Sequence, residues 1–345
     1  MKIVADKTIP FIENVFEPYA EVVYIEGRDI GSEDVKDADA MIIRTRTRCN
    51  ADLLDGSKVK MIATASIGSD HVDHAWCDEH GIHYQSALGC NANAVMNYVF
   101  SALYGTAARK SINLEGKNFG VIGVGNTGAR VSSMARYLGF KTLLCDPPRA
   151  AAEGMDAFCS MDDLLRNADV VTLHVPLSET TRRMADEEFF SKMKPGAVFI
   201  NTARGEVVDE AALMSAIPRL GAVVIDTWNN EPYVNLDLVS MVDIATPHIA
   251  GYSYQGKQNG SAYAVRAIAR YFGISELYDF YPETPIAELE AIKLNLKGKK
   301  QGEIASVLQY NYPVFTDDFM FRMNPSGFEN LRLNYSYRRE FYVDY

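Results

Sequence analysis

The stretch "FGVIGVGNTGARV" (119–131) constrains the fold of this chain most. Gly123, Gly125 and Gly128 stand in G-x-G-x-x-G spacing, directly after an apolar run and before a helical pattern. The first glycine permits a tight turn and the second lets backbone approach a pyrophosphate. The third lets the helix pack close to the strand. Phosphates at such a turn sit at the positive helix N-terminus, here against Asn126 and Thr127. Glycine-rich turns are common, so the motif gains its weight from context.

That context is an alternation of strands and helices. After the motif's own strand come "KTLLCDP", "DVVTLHVP", "AVFINTA", "AVVIDTW" and "DIATP", most of them separated by helical stretches. The pattern predicts a doubly wound nucleotide-binding domain. The N-terminal third repeats it with "KIVAD", "EVVYIEG", "ADAMIIRT", "VKMIATAS" and "IHYQS", which predicts a second parallel sheet. Helices are expected over about 93–110 and 253–275, the latter able to return the chain to the first domain. The expected class is α/β, with two doubly wound parallel-sheet domains, and 345 residues suit two or three domains.

Composition excludes some partners. A formal net charge of −11 disfavours nonspecific binding to nucleic acid or anionic membrane. The start "MKIVADKTIPF" forms no apolar signal core, and no run approaches the length of a bilayer span. Cysteines 49, 77, 90, 145 and 159 form no CxxC pair, which suits a reducing cytoplasm. The comb His71, His74, Cys77, His80, His83 resembles a metal site in composition only. Steps of three rotate by roughly 300° on a helix, so these side chains spiral around it, and no metal is expected.

Eighteen residues past Gly128, at a strand end, stands Asp146. A carboxylate there accepts hydrogen bonds from the adenosine ribose and repels a 2′-phosphate, which favours NAD over NADP. Arg149 nearby softens that preference, and capping of a helix is the plainer role for Asp146. Three further segments follow, "NTARGEVVDE" (201–210), "VIDTWNNEP" (224–232) and "TPHIAG" (246–251). Each begins at or just after a predicted strand end, where open α/β sheets hold ligands. They supply Arg204, Glu231 and His248. An imidazole can take a hydroxyl proton and return it, a carboxylate can orient it, and a guanidinium offers a planar fork to a substrate carboxylate.

With GVGNTG, NTARG, the Asp-to-Glu-Pro stretch and PHIAG in register, residues 1–275 resemble the D-isomer-specific 2-hydroxy acid dehydrogenase family. The resemblance implies that His248 is the acid/base, that Glu231 pairs with it, and that Arg204 binds the substrate carboxylate and carbonyl. It places Asp226 near the nicotinamide of NAD. The fold implied is a flavodoxin-like substrate domain (1–95 with 254–280) and a Rossmann NAD domain (96–253).

Substrate is harder to read. "IIRTRTRCN" sets Arg44, Arg46 and Arg48 at alternate positions, which on a persisting strand share one face. In so acidic a chain, a phosphate-bearing substrate explains such a row, and an exposed basic edge explains it equally. "LLCDPPRA", "SIGSDHVD", "GCNANAV" and "DIATPHIAGYS" are similar to a branch of the family that oxidises 4-phospho-D-erythronate to 3-hydroxy-2-oxo-4-phosphooxybutanoate in pyridoxal phosphate biosynthesis. This narrower resemblance implies substrate contacts at Thr45, Thr64 and Tyr252. It implies NAD contacts at Asp146, Val175, Thr202, Ala203, Arg204, Asp226 and Gly251. Thr45 replaces a common Ser and keeps the hydroxyl, and Val175 stands where Thr also occurs. Assignment of Arg44 and Arg46 to the phosphate rests on charge and alternation alone. Another D-2-hydroxy acid dehydrogenase, using phosphoglycerate for instance, shares every catalytic residue, and a nonenzymatic NAD-sensing protein shares the cofactor motif.

Eleven Phe and Tyr residues crowd into positions 305–345. A segment this short buries its own surface poorly and is expected to pack on another surface, a second copy being the simplest, with a small satellite domain within the chain as the alternative. In the resembling branch this region, 281–345 here, is a dimerisation domain, so a homodimer is expected.

Overall fold

The computed structural model describes residues 1–345. The chain forms two compact units, one of Met1–Asn91 with Ser253–Glu290 and one of Ala92–Tyr252 with Ala291–Tyr345.

In the first unit, β1 (Lys2–Asp6), β2 (Glu21–Ile25), β3 (Ala40–Ile43), β4 (Met61–Thr64) and β5 (His83–Ser86) form a sheet of order β2-β1-β3-β4-β5. All its pairings are parallel. Ile3, Ala5, Ile42 and Ala63 on one face pack against Ala264, Val265 and Ile268 of the helix Tyr254–Phe272. That helix starts where Ser253 Oγ accepts the Gly256 N–H at 2.9 Å and stops at Gly273, which is left-handed. The helix belongs to the first unit together with Met1–Asn91.

In the second unit, β6 (Asn118–Ile122), β7 (Lys141–Cys145), β8 (Val170–Leu173), β9 (Val198–Asn201), β10 (Ala222–Ile225) and β11 (Ile244–Ala245) are ordered β11-β10-β9-β8-β6-β7. Every pairing is parallel, so all strand C-terminal ends lie along one edge. The winding reverses between β6 and β8, and crevices at such reversals hold ligands. Every residue of β8 and β9 is buried, as expected of strands covered on both faces.

The C-terminal segment packs one face on this unit's own core. A two-stranded parallel sheet joins β12 (Ile292–Lys293) to β13 (Phe341–Tyr342). Leu308 and Tyr312 join the core around the helix Ala92–Lys110, and Phe321 and Phe328 join that around Trp228. The helix Val314–Met323 lies against edge strand β11, where the Asp318 carboxylate accepts the Ala245 N–H at 2.7 Å. An open edge is thereby covered. The opposite face stays apolar and exposed at Tyr310 (86%), Phe319 (59%) and Met323 (69%).

Two readings need correction. The strand carrying "IIRTRTR" ends at Ile43, and Arg44–Arg48 form a turn closed by Thr47 N–H to Arg44 carbonyl at 3.2 Å. Thr47 drives the turn by burying its hydroxyl against the Gly27 carbonyl at 2.8 Å, so strand alternation does not order the three arginines. The histidine comb also lacks one continuous helix. Only His74–Glu79 is helical, and the rings stack locally, His80 on Trp76 and His74 on Tyr84. No three His, Cys, Asp or Glu side chains are placed to hold a metal ion. All five cysteines are free, and no helix is long and apolar enough to cross a membrane.

Candidate active site

The glycine turn follows β6 directly. Gly123 has φ +83°, and a Cβ there would stand 2.8 Å from the His174 backbone and 2.9 Å from Val175 Cγ1, so the turn after β6 lies on the turn after β8. Gly128 is tighter: a Cβ would lie 1.9 Å from the Gly123 carbonyl oxygen. Gly125, by contrast, faces open space and begins the helix Asn126–Tyr137 with no side-chain cap. A twelve-residue helix whose first amides lack a cap, behind a glycine open to solvent, fits a pyrophosphate.

Asp146 follows β7 and has two protein partners. Its Oδ1 accepts the Arg149 N–H at 3.1 Å, which caps the helix Pro147–Glu153. Its Oδ2 accepts the Val124 N–H at 2.7 Å, within the glycine turn. A carboxylate has about four lone-pair sites, so both contacts leave acceptor capacity for a ribose. Arg149 is bound to Glu153 and to the Val124 carbonyl, the latter at 2.7 Å.

The three catalytic candidates stand at the ends of β9, β10 and β11, neighbours in the sheet. After β9, Asn201 holds its loop by accepting the Ala203 N–H and donating to the Arg204 carbonyl, both at 3.0 Å. Thr202 Oγ1 there is buried without a protein partner, an open polar valence beside the expected cofactor residues. Arg204 is half-buried and donates Nη1–H to the Ala203 carbonyl at 2.8 Å. Gly205 brings this loop onto the next one, because a Cβ would lie 1.9 Å from the Trp228 carbonyl carbon. Any side chain at 205 would force the Arg204 loop away from the Glu231 loop.

Glu231 and His248 form the central pair, with Nδ1 2.8 Å from Oε2 and 3.1 Å from Oε1. Oε1 also accepts the Trp228 N–H at 3.0 Å. Burial raises the Glu231 carboxyl, but the His248 imidazole, the Arg332 guanidinium and the Trp228 N–H outweigh it and hold the group below the ordinary glutamate value. An ionised Glu231 fixes the tautomer with the proton on Nδ1 and leaves Nε2 to exchange a substrate proton.

Asp226 shapes the turn that carries His248. It is fully buried, and its carboxylate accepts the Ile249 N–H at 2.8 Å, the Ala250 N–H at 2.9 Å and the Thr246 hydroxyl at 2.6 Å. Burial pushes its carboxyl up against the pull of those partners and of His248. His248 itself has φ +56°, with its N–H on the Asp226 carbonyl at 2.7 Å. Left-handed backbone at a non-glycine residue persists where surrounding bonds over-determine it.

Two tail residues at this site were not read from the sequence. Arg338 donates to the carbonyls of Ile249 at 3.1 Å, Tyr252 at 2.8 Å and Ala250, bracing the turn after His248. Arg332 stands 5.7 Å from the Tyr252 ring, and Tyr335 and Tyr337 flank that ring at 6.0 and 6.3 Å. The "LRLNYSYRRE" stretch is basic and aromatic, but no spacing rule ties it to a turn some eighty residues earlier.

The remaining candidates lie in the first unit or at its boundary. Thr64 ends β4, buried, with its hydroxyl 2.7 Å from Ser66 Oγ. Thr45 is exposed in the Arg44–Arg48 turn, where Arg44 reaches Thr8 Oγ1 at 3.3 Å and the Arg46 charge helps hold the Glu26 carboxyl low behind the larger effect of Arg28. Gly251 and Tyr252 close the turn after His248.

Comparison with known proteins gives the family. Residues 93–250 match the family model described as D-isomer specific 2-hydroxyacid dehydrogenase, NAD binding domain. An erythronate-4-phosphate dehydrogenase from Bacteroides fragilis (strain ATCC 25285) is 42% identical, over 99% of this chain and 97% of that protein. One from Yersinia pestis (strain Pestoides F) is 39% identical, over 99% and 93% respectively. Among solved structures, NAD-bound 3-phosphoglycerate dehydrogenase from Entamoeba histolytica is 26% identical with a TM-score of 0.67, covering 83% of this chain and 99% of that one. The chain belongs to the D-isomer-specific 2-hydroxyacid dehydrogenase family, in its erythronate-4-phosphate dehydrogenase branch.

Proposed function

We propose that this protein oxidises 4-phospho-D-erythronate to (R)-3-hydroxy-2-oxo-4-phosphooxybutanoate with NAD, a step of pyridoxal 5′-phosphate biosynthesis. The observation that carries the chemistry is the 2.8 Å contact between His248 Nδ1 and Glu231 on a turn fixed by Asp226. NAD, when bound, accepts the hydride leaving C2 of the substrate. His248 Nε2 takes the hydroxyl proton as the carbonyl forms, and Glu231 stabilises the resulting imidazolium. Arg204 holds the substrate carboxylate and the developing carbonyl through its planar fork. Gly123, Gly125, Asn126, Thr127 and Gly128 receive the pyrophosphate. Asp146 takes the ribose, and Val175, Thr202, Ala203, Asp226 and Gly251 line the remaining NAD contacts. Thr45, Thr64 and Tyr252 are the proposed substrate contacts, with Arg44 and Arg46 as further cations. The C-terminal segment carries the homodimer contact, supported by its exposed apolar face, and the free cysteines suit a cytoplasmic setting.

The test is NAD reduction with 4-phospho-D-erythronate beside D-3-phosphoglycerate and unphosphorylated D-erythronate, with a 2-oxo acid present to reoxidise tightly held NADH. The reading requires a strong preference for 4-phospho-D-erythronate. Preference for phosphoglycerate would keep the mechanism and discard the pathway.

A further inference from the structure

We propose that Arg332, in the C-terminal segment, binds the phosphate of the phosphorylated hydroxy acid; the inference rests on the substrate class proposed above. The helix Phe328–Leu333 is anchored by Phe328, which is fully buried and packs on Phe321 with ring centroids 5.8 Å apart. One helical turn on, Arg332 lies against the Phe328 ring at 5.5 Å and the Tyr252 ring at 5.7 Å.

Its side chain is only 15% exposed, yet its partners are poor. The ion pair with Glu329 is long, at 3.7 Å, and Nε is buried with no hydrogen-bond partner. A guanidinium has five N–H donors, and a buried cation left short of hydrogen bonds is strongly unfavourable. Its neighbour Arg338 also leaves Nε without a partner, but both of its Nη atoms are bound to backbone carbonyls, whereas neither Nη of Arg332 makes a hydrogen bond within the protein. Arg332 is therefore the tail cation with donors to offer. It stands beside Tyr252 and close enough to Glu231 to lower that carboxyl. Arg204 is already matched to the substrate carboxylate, which leaves the phosphate as the anionic group that Arg332 complements.

The test uses the full-length protein and the variants Arg332→Gln and Arg332→Lys. Steady-state kinetics are compared on a phosphorylated hydroxy acid and its unphosphorylated analogue, with inorganic phosphate as a competitive inhibitor and NAD affinity as the folding control. Arg332→Gln is expected to lower kcat/KM for the phosphorylated acid roughly 10- to 100-fold, mainly through KM. It should weaken inhibition by phosphate in parallel and lower kcat/KM for the unphosphorylated acid by a clearly smaller factor, the part that reflects the loss of its charge beside Glu231. Arg332→Lys should recover part of the loss.

An equal fall on both acids, carried by kcat, would overturn the proposal and make Arg332 a positioning residue for Glu231. No change on either acid, no preference for the phosphorylated acid in the unaltered protein, or loss of NAD affinity in both variants would overturn it as well. If the unaltered protein prefers a phosphorylated acid other than 4-phospho-D-erythronate, the pathway reading fails, while the comparison runs on that acid and still decides the role of Arg332.

Discussion

At the scale of single residues, the site depends on one carboxylate facing the imidazole and another facing its backbone. Glu231 fixes the His248 ring, and Asp226 fixes the His248 peptide through the next two N–H groups. Replacing His248 with Ala removes the proposed proton acceptor and leaves the glycine turn untouched. We expect turnover to fall on the order of 10²- to 10⁴-fold while the Kd for NAD stays within about threefold. Steady-state kinetics with a separate NAD titration checks this, and normal turnover in the variant would refute the proton-transfer role. His248, Glu231 and Arg204 were legible because each lies in a short motif at a strand end. The bracing role of Asp226 was not, because its partners lie 23 and 24 residues downstream and are backbone groups without a sequence signal.

At the scale of elements, periodicity located the strands of both sheets, since buried parallel strands are short runs of Val and Ile between turns. Sheet order explains why motifs far apart in sequence converge. The turns after β9, β10 and β11 are neighbours because their strands are, and Gly205 lets two of them touch. The Arg44–Arg48 reading failed for a tertiary reason, the capture of the Thr47 hydroxyl by Gly27, twenty residues away in sequence. Asp146 shows that a structural role and the expected ligand role can coexist, because helix capping occupies Oδ1 and the glycine-turn contact occupies Oδ2.

At the scale of the whole chain, aromatic density marked the C-terminal segment as a packing surface, with a second copy as the simplest partner, but did not show that much of it packs within its own chain. Tyr312, Phe321, Phe328 and Phe341 are buried within the chain, while Tyr310, Phe319, Met320 and Met323 remain exposed. Exposed apolar side chains clustered on one helix and its neighbour are expected of a homodimer face. Phe319→Glu with Met323→Glu should convert a dimer to a monomer in sedimentation experiments, with the NAD affinity retained. A monomer before substitution, or a dimer after it, would count against that face.

The central claim is hydride transfer from C2 of the substrate to NAD, with proton removal at His248. Its most direct measurement uses 4-phospho-D-erythronate deuterated at C2, with the NADH formed analysed by mass spectrometry. The account predicts one deuterium in each NADH, none in the 2-oxo product, and no labelled NADH from the His248→Ala protein beyond a trace. Unlabelled NADH, deuterium released to water, or undiminished labelling by the variant would contradict it.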